Sequence, residues 1–235
     1  MISGGTSGLG LAAARRFATE GARVWIMGST NDTLEAALDE VEVVGGSAGD
    51  ISDADFVGWA VQRARAALGR LDVAFASAGI DGEGKNVLDL SAEHFRRVMD
   101  VNVLGTFLFA QAAAREMEGG GAIVVNASVN GLRAERDFCD YNASKGAAVM
   151  LSKTLALDLA ERGISVVALC AGYIPTRMTA ASLDDPALAG ELRAQIPAGR
   201  FGTPEEVASL VSFLAHPDAA YMTGGVVTID GGRSA

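Results

Sequence analysis

The sequence predicts an α/β fold in which a doubly wound parallel sheet of about seven strands carries helices on both faces. Short apolar segments alternate with longer segments of helical character along the whole chain. One segment, Ala122–Ala127, is apolar at nearly every position, as expected of a strand that is buried on both faces. A glycine-rich turn, Gly4–Gly10, joins the first strand to the first helix.

The remaining elements follow in order. The predicted strands are Met1–Ser3, Arg23–Met27, Val43–Val44, Leu71–Ala76, Ala122–Ala127, Ile164–Leu169 and Val226–Ile229. The predicted helices are Leu11–Glu20, Thr33–Val41, Ala54–Leu68, Tyr141–Arg162 and Pro204–Ala215, with a largely helical region over Ser91–Met117 and a helical insert over Pro186–Gln195. Because the first strand is short, we expect a few residues to precede Met1. No linker divides the chain, which predicts one domain over residues 1–235 with a small helical substrate lid at about 175–200.

Composition narrows the class of protein. The chain has 29 acidic and 19 basic residues with no basic cluster, which argues against nucleic acid and anionic membranes as partners. No apolar run is long enough to cross a bilayer, and no signal peptide is recognisable. Cys139 and Cys170 have no metal-ligand spacing, and we expect Cys139 to be a buried apolar residue. The sequence therefore predicts a soluble cytoplasmic protein without a metal site.

A phenol and an ammonium stand four residues apart at Tyr141 and Lys145, so a helix would present both on one face. A positive charge near a phenol favours the phenolate, which would bring its pKa closer to neutrality. Ser128 follows the strand Ala122–Ala127, at the sheet edge where α/β proteins bind ligands. Each residue alone has an ordinary structural explanation, but their combination favours a catalytic site.

The glycine loop can bring backbone N–H groups and a helix N-terminus against a pyrophosphate. The spacing of Gly4, Gly8 and Gly10 alone fits packing and ligand binding equally well. At the end of the second strand, Gly28 stands where an acid would bind the ribose hydroxyls of NAD. The absence of that acid and the hydroxyls of Ser29 and Thr30 favour NADP(H), while NAD(H) stays possible and a plain turn explains Gly28 as well.

Taken in order along the chain, these motifs resemble the short-chain dehydrogenase/reductase family. The matching positions are the glycine loop, Asp50, Ala78-Gly79, Asn102, Ser128, Tyr141 with Lys145, Gly172 with Thr176, and Asp230-Gly231-Gly232. The resemblance implies a Rossmann-type sheet, a nicotinamide dinucleotide, and NAD(P)-dependent interconversion of a secondary alcohol and a ketone. It also implies a homotetramer or homodimer built partly on the helices around 102–117 and 141–162.

The resemblance also implies roles for individual residues. Tyr141 would be the general acid and base, Lys145 would bind the nicotinamide ribose, Ser128 would bind the substrate oxygen, and Asn102 would hold a water in a proton path. The expected cofactor contacts are Gly4, Thr6, Ser7, Gly8, Leu9, Gly10, Ser29, Thr30, Asp50, Ile51, Ala78, Gly79, Tyr141, Lys145, Gly172, Ile174 and Thr176. The chain departs from the family pattern at Ser3, Ala76-Ser77 and Ala171.

Several alternatives stay open. Asp50 could form a capping turn with Ser52 instead of flanking the adenine, and Thr176 could cap a helix. A catalytically silent dinucleotide-binding regulator of the same fold would bind cofactor without turnover. A longer sugar epimerase is disfavoured because no C-terminal substrate domain is visible, and an enoyl reductase because its Tyr and Lys are normally further apart. The substrate loops are predicted at 80–87, 129–140 and 173–200. In the second loop, Arg133 or Arg136 could bind a carboxylate or phosphate of the substrate, although arginines at the surface or at a subunit contact are the more common explanation.

Overall fold

The computed structural model describes the backbone of residues 1–235 and the side chains of residues 1–180 and 183–235. Its centre is a seven-stranded sheet, in the order β3-β2-β1-β4-β5-β6-β7, in which all paired strands are parallel. The strands are β1 (Ile2–Ser3), β2 (Trp25–Gly28), β3 (Gly45–Ala48), β4 (Val73–Ala76), β5 (Gly121–Asn126), β6 (Ile164–Ala171) and β7 (Val226–Ile229). The predicted fold class is thus confirmed.

Nine α-helices connect or follow the strands in the described chain. They are α1 (Gly8–Thr19), α2 (Asn31–Glu40), α3 (Ala54–Leu68), α4 (Ala92–Met99), α5 (Gly105–Glu116), α6 (Cys139–Leu159), α7 (Ala180–Leu183), α8 (Pro186–Ala194) and α9 (Pro204–Ala215). No helix among the described residues combines the length and apolar character that crossing a membrane requires.

The sheet separates two apolar layers. Side chains of α3, α5 and α6, such as Val61 and Phe109, pack on one face, and those of α1, α2 and α9, such as Leu34 and Val211, pack on the other. In β2, Trp25 belongs to the first layer and Ile26 to the second, as the two-residue period of a strand requires. Burial on both faces explains why the inner strands read as continuous apolar runs.

The third strand differs from the prediction. It spans Gly45–Ala48 instead of Val43–Val44, and it pairs with Trp25–Gly28 of β2. The glycines fit because a Cβ at Gly45 would lie 2.9 Å from Trp25, and one at Gly46 would lie 2.4 Å from Cδ1 of Leu34. Contacts with a neighbouring strand and helix therefore override the low intrinsic strand preference of glycine.

The helical region over Ser91–Met117 is also not one regular helix. A π-helical segment, Asp100–Leu104, joins α4 to α5 and contains Asn102. Such wide turns inside α-helices occur frequently at functional sites. Here the wide turn carries a residue that the sequence had already assigned to the site.

Candidate active site

A cavity of about 400 Å³ opens at the carboxyl ends of the central strands. It lies where the strand order reverses between β1 and β4, which is the usual ligand position in open α/β sheets. Predicted site residues that line it are Gly4, Ser7, Gly8, Leu9, Ala78, Gly79, Ser128, Tyr141, Lys145, Gly172, Ile174 and Thr176. Segments that are far apart in sequence thus meet at the predicted edge of the sheet.

Glycine occupies the three loop positions for different structural reasons. Gly4 has a φ of 65°, and a Cβ at Gly10 would lie 2.1 Å from the carbonyl oxygen of Gly4, so these two glycines serve the turn and its packing against α1. A Cβ at Gly8 would only approach the side chain of Thr176, at 3.4 Å, across the cavity. Gly8 therefore leaves room for a group beside the loop.

The start of α1 fits a phosphate group. The helix begins at Gly8, and the side chain of its N-cap residue Ser7 makes no capping hydrogen bond. Backbone N–H groups at such a helix start can bind an anion, and the helix dipole favours negative charge there. The loop and the open helix end together are suited to the pyrophosphate of a dinucleotide.

Tyr141 and Lys145 occupy one side of α6, as their spacing predicts. The Lys145 Nζ atom lies 5.4 Å from the centre of the Tyr141 ring. Burial, together with the carboxylate of Asp81, raises the pKa of Tyr141 above its usual value, and the neighbouring Ser128 hydroxyl acts in the opposite direction. The net shift is thus opposite to the one that Lys145 alone would produce, because the phenol is removed from water.

Lys145 is almost fully buried, and its Nζ atom donates a hydrogen bond to the backbone oxygen of Asn126 at 2.9 Å. Burial lowers the pKa of Lys145 to about 8. The side chain is still mostly protonated at pH 7, so a positive charge stands beside the phenol.

Asn102 holds the loop that follows β4. Its Nδ2 donates to the backbone oxygen of Ile80 at 3.0 Å and to the Ser144 hydroxyl at 3.0 Å, while its Oδ1 accepts from the Ile80 N–H at 2.8 Å. Asn102 does not line the cavity among the described side chains. It positions Ala78–Ile80, which do line it, and its predicted role in a proton path stays a prediction.

The end of β2 offers fewer free groups than the sequence suggested. A Cβ at Gly28 would lie 2.5 Å from Cγ2 of Thr6, so glycine is required there by packing. The Thr30 hydroxyl accepts from the Thr33 N–H at 3.3 Å as the N-cap of α2. Ser29 is exposed, and neither Ser29, Thr30 nor Thr6 lines the cavity among the described residues.

Asp50 and Ile51 also lie outside the cavity lining. Asp50 accepts hydrogen bonds from the Ser52 N–H and hydroxyl at 2.9 and 2.6 Å, and it pairs with Arg97 at 3.0 Å. Both carboxylate oxygens are therefore engaged within the protein, which favours the capping-turn alternative. Ile51 packs where a Cβ at Gly105 would meet it at 2.7 Å, and its contact with an adenine stays a prediction.

The residues after β6 close the cavity. A Cβ at Gly172 would lie 2.8 Å from that of Asp230, which explains the pairing of Gly172 with the Asp230-Gly231-Gly232 turn. The Thr176 N–H donates to the Thr179 hydroxyl at 2.9 Å, and Thr179, not Thr176, precedes α7. The alternative reading of Thr176 as a helix cap is therefore wrong.

The departures from the family pattern are accommodated locally. The Ser3 hydroxyl accepts from the N–H groups of Ser77 and Ala78 at 3.1 and 3.3 Å, so a hydroxyl is sufficient at that position. Ser77 in turn accepts from the Asn126 side chain at 3.3 Å. These contacts tie the ends of β1, β4 and β5 together.

A second cavity, of about 180 Å³, adjoins the first and shares Ser128 and Tyr141 with it. Asp81 lines both cavities, and Arg233 lines the second. The sequence analysis did not identify either residue as functional. Asp81 lies in the predicted substrate loop and could have been found there, whereas a lone arginine near the end of the chain carries no local signal.

Of two other predictions for this region, one is wrong, and the other, that Arg133 binds a substrate anion, stays a prediction. Cys139 is exposed at the start of α6, so the expectation that it is buried was wrong, because its helix position faces outward. Arg133 is exposed and donates to the backbone oxygen of Arg233 at 2.9 Å, so it supports the arginine that lines the second cavity.

Comparisons with known proteins agree with this geometry. The family model described as Enoyl-(Acyl carrier protein) reductase matches residues 4–234. The chain is 37% identical to a glucose 1-dehydrogenase of Gluconobacter oxydans over 240 residues, which cover 99% of this chain and 90% of that protein. It is 38% identical to a 2-(R)-hydroxypropyl-CoM dehydrogenase of Xanthobacter autotrophicus over 247 residues, covering 100% and 98%. A crystal structure of an actinorhodin polyketide ketoreductase with NADPH superposes with a TM-score of 0.92 at 30% identity, covering 99% and 96%.

The fold and the site define a dinucleotide-dependent oxidoreductase. The chain belongs to the short-chain dehydrogenase/reductase family, and it is an NAD(P)-dependent enzyme that acts on CH–OH groups. The label of the matching family model names an enoyl reductase, but the curated relatives named above are dehydrogenases of alcohols.

Proposed function

We propose that this protein interconverts a secondary alcohol and a ketone, with Tyr141 as general acid and base. The observation that carries the proposal is that Ser128, Tyr141 and Lys145 line the same cavity as Gly8 of the glycine loop. The nicotinamide of a bound NAD(P) supplies or accepts the hydride. The chain itself must bind the carbonyl oxygen and move one proton.

Tyr141 and Ser128 are suited to those two tasks. In reduction, the Tyr141 hydroxyl gives its proton to the substrate oxygen, and in oxidation the phenolate takes the proton back. The Ser128 hydroxyl lowers the pKa of Tyr141 and donates to the same substrate oxygen, which stabilises the charge that develops there.

Lys145 offsets the cost of forming the phenolate in a buried site. Its ammonium is fixed by Asn126, and its pKa of about 8 leaves it charged at neutral pH. We assign its remaining N–H groups to the ribose hydroxyls of the cofactor. Asn102 positions the loop beside them, and we assign to it the water through which the proton reaches solvent.

The test is Tyr141→Phe, measured with both cofactors against a panel of ketones, secondary alcohols and polyols. We expect turnover to fall at least about a hundredfold while cofactor binding, followed by fluorescence titration, is retained. Tyr221→Phe is the matched control, because Tyr221 is fully exposed. Near-normal turnover by Tyr141→Phe would refute the assignment, and cofactor binding without turnover by the unaltered protein would support the regulatory alternative.

For the cofactor we propose a preference for NADP(H), with NAD(H) also accepted. No carboxylate at Gly28, Ser29 or Thr30 repels a 2′-phosphate, and the ketoreductase described above was crystallised with NADPH. No Lys or Arg stands at Ser7, Ser29 or Thr30 either, so the preference should be modest. The ratio of the KM values for NAD and NADP measures this cofactor preference. A KM for NAD well below that for NADP would overturn the proposal.

We also propose that the protein is a homotetramer or homodimer in which α5 and α6 lie at an interface. Met150 and Leu157 of α6 are 61% and 79% exposed, which is unusual for large apolar side chains on one helix. Light scattering of the unaltered protein and of Leu157→Arg tests this, because a charge in an interface core should shift the mass toward that of the monomer.

Residues 175–200 are proposed to form the substrate lid. Met178, Leu188 and Leu192 from this segment line the second cavity, beside the catalytic residues. Their apolar side chains would cover a bound substrate and exclude water.

A further inference from the structure

The second cavity contains a buried cation that the proposed chemistry does not use. Arg233 is only 7% exposed and lines this cavity together with Ser128 and Tyr141. Burial of a guanidinium is costly, and arginine is almost never fully buried unless it is paired. The location of Arg233 near the end of the chain does not explain why its guanidinium is buried.

The guanidinium is held in place by three side chains, those of Tyr173, Glu135 and Gln195, the last of which accepts from Nη2 at 3.5 Å. Its centre lies 4.5 Å from the ring centre of Tyr173, and its Nη2 donates to the Tyr173 hydroxyl at 3.2 Å. Glu135 lies 3.4 Å from the same nitrogen and also accepts from the Tyr173 hydroxyl. Arg233 is thus oriented before any ligand arrives, which lowers the entropic cost of binding one.

The donors of Arg233 are not all used. Its Nε atom is buried and has no hydrogen-bond partner among the described residues. All hydrogen bonds that the guanidinium makes with described side chains start from Nη2. The donors that remain can bind an acceptor in the cavity, which would reduce the number of unsatisfied N–H groups of this buried guanidinium.

The surrounding charges decide which acceptor fits. The charge of Arg233 is already balanced by Glu135, and Asp81 adds a second carboxyl group to the same cavity. A carboxylate or phosphate on the ligand would face both groups and meet repulsion. A hydroxyl or carbonyl oxygen accepts a hydrogen bond without adding charge.

Taking the proposed alcohol–ketone chemistry as given, we propose that Arg233 binds a second, uncharged oxygen atom of the substrate. The substrate is then a hydroxyketone, diketone or diol whose first oxygen meets Ser128 and Tyr141. Its hydrocarbon part packs against Met178, Leu188 and Leu192, which form the apolar side of the same cavity.

The test uses cyclohexanone, its 2-, 3- and 4-hydroxy derivatives, and the corresponding 2-, 3- and 4-oxocyclohexanecarboxylates. We expect the unaltered protein to prefer at least one hydroxy derivative over cyclohexanone by about tenfold or more in kcat/KM, since a hydrogen bond to a charged group is worth this much. Arg233→Met should lose that preference and keep its activity on cyclohexanone. Arg96→Met is the matched control, because Arg96 is exposed on α4.

A binding measurement separates this proposal from the proposed function. With NADP⁺ bound, cyclohexanone and the 1,2- and 1,4-cyclohexanediones can be neither reduced nor oxidised, so calorimetry gives their Kd values, and those of the oxocyclohexanecarboxylates, whether or not the reaction is assigned correctly. The same preference in Kd, for a dione over cyclohexanone, lost in Arg233→Met, supports the role of Arg233 even if the reaction is assigned wrongly. A preference for the carboxylates, or no preference for any hydroxy derivative or dione, overturns it.

Misfolding of the variant must also be distinguished. Arg233→Lys keeps the charge but not the planar donor set, so it should fold normally and lose most of the preference. If Arg233→Met and Arg233→Lys lower kcat/KM equally on all ketones, Arg233 is structural and the proposal fails.

Discussion

The side chain of Asn102 and the backbone of Ile80 form a reciprocal pair of hydrogen bonds, of 2.8 and 3.0 Å. The pair holds the loop after β4 against the π-helical turn. Because Ile80 lines the cavity, the position of this part of the lining depends on the buried amide of Asn102. Asn102→Ala should lower the free energy of unfolding by about 1–3 kcal/mol, because it leaves backbone groups of Ile80 unpaired. It should also raise the Kd for cofactor.

Chemical denaturation and cofactor titration measure these two effects. Asn31→Ala is the control, since Asn31 is exposed at the start of α2. Equal effects of the two variants would contradict a positioning role for Asn102.

Lys145 should make the stability of the protein depend on pH. Its pKa is about 8 in the folded protein and near 10.5 in the unfolded chain, so the unfolded chain binds more protons between these values. Stability due to Lys145 therefore rises as the pH increases from about 8 to 10. The free energy of unfolding of the unaltered protein, minus that of Lys145→Met, should increase over this range.

Lys153→Met on the same helix is the control for this measurement, because Lys153 is exposed. It accounts for any pH dependence that the loss of a lysine from α6 causes by itself. A flat difference for Lys145→Met would show that Lys145 is not desolvated.

The loop glycines should respond differently to alanine. Gly10→Ala places a Cβ 2.1 Å from the Gly4 oxygen, so it should prevent folding or cost several kcal/mol. Gly8→Ala meets only Thr176 but has a φ of 51°, and it should cost about 1 kcal/mol while clearly weakening cofactor binding.

Gly58→Ala provides the contrast within a helix. Nothing lies within 4 Å of a Cβ at Gly58 in α3, so this change should stabilise the protein by about 0.5–1 kcal/mol. Thermal unfolding of the three variants gives the order of their stabilities. If Gly58→Ala destabilised the protein as much as Gly8→Ala does, the loop glycine would have no special conformational role.

Asp81 should control the pH dependence of catalysis, if Tyr141 is the acid and base. The Asp81 carboxylate contributes to raising the pKa of Tyr141, so Asp81→Asn should lower that pKa. The rise of kcat/KM with pH in alcohol oxidation should then move to lower pH. Asp89→Asn, at an exposed position outside the two cavities, should leave the profile in place, and a shift of the Asp81→Asn profile to higher pH would contradict this account.

Local patterns predicted much of the site. The spacing of Tyr141 and Lys145 requires only a helix, and the glycine loop only a strand followed by a helix, so both could be placed before the tertiary structure was known. The end of β2 was harder to predict. The sequence left Gly28 open between a cofactor determinant and a turn, and it gave no sign of the close packing of Gly28 against Thr6. A contact between residues far apart in sequence leaves no periodic signal.

The sequence by itself determined the alternating fold and placed the glycine loop, Ser128, Tyr141 and Lys145 at one edge of the sheet, because apolar periodicity and strand direction follow from local backbone geometry. The tertiary structure decided where β3 lies, the direction in which the pKa of Tyr141 moves, and the burial of Arg233 beside Glu135. Each of these depends on removal from water by distant parts of the chain, and burial is a property of the packed molecule, not of any segment.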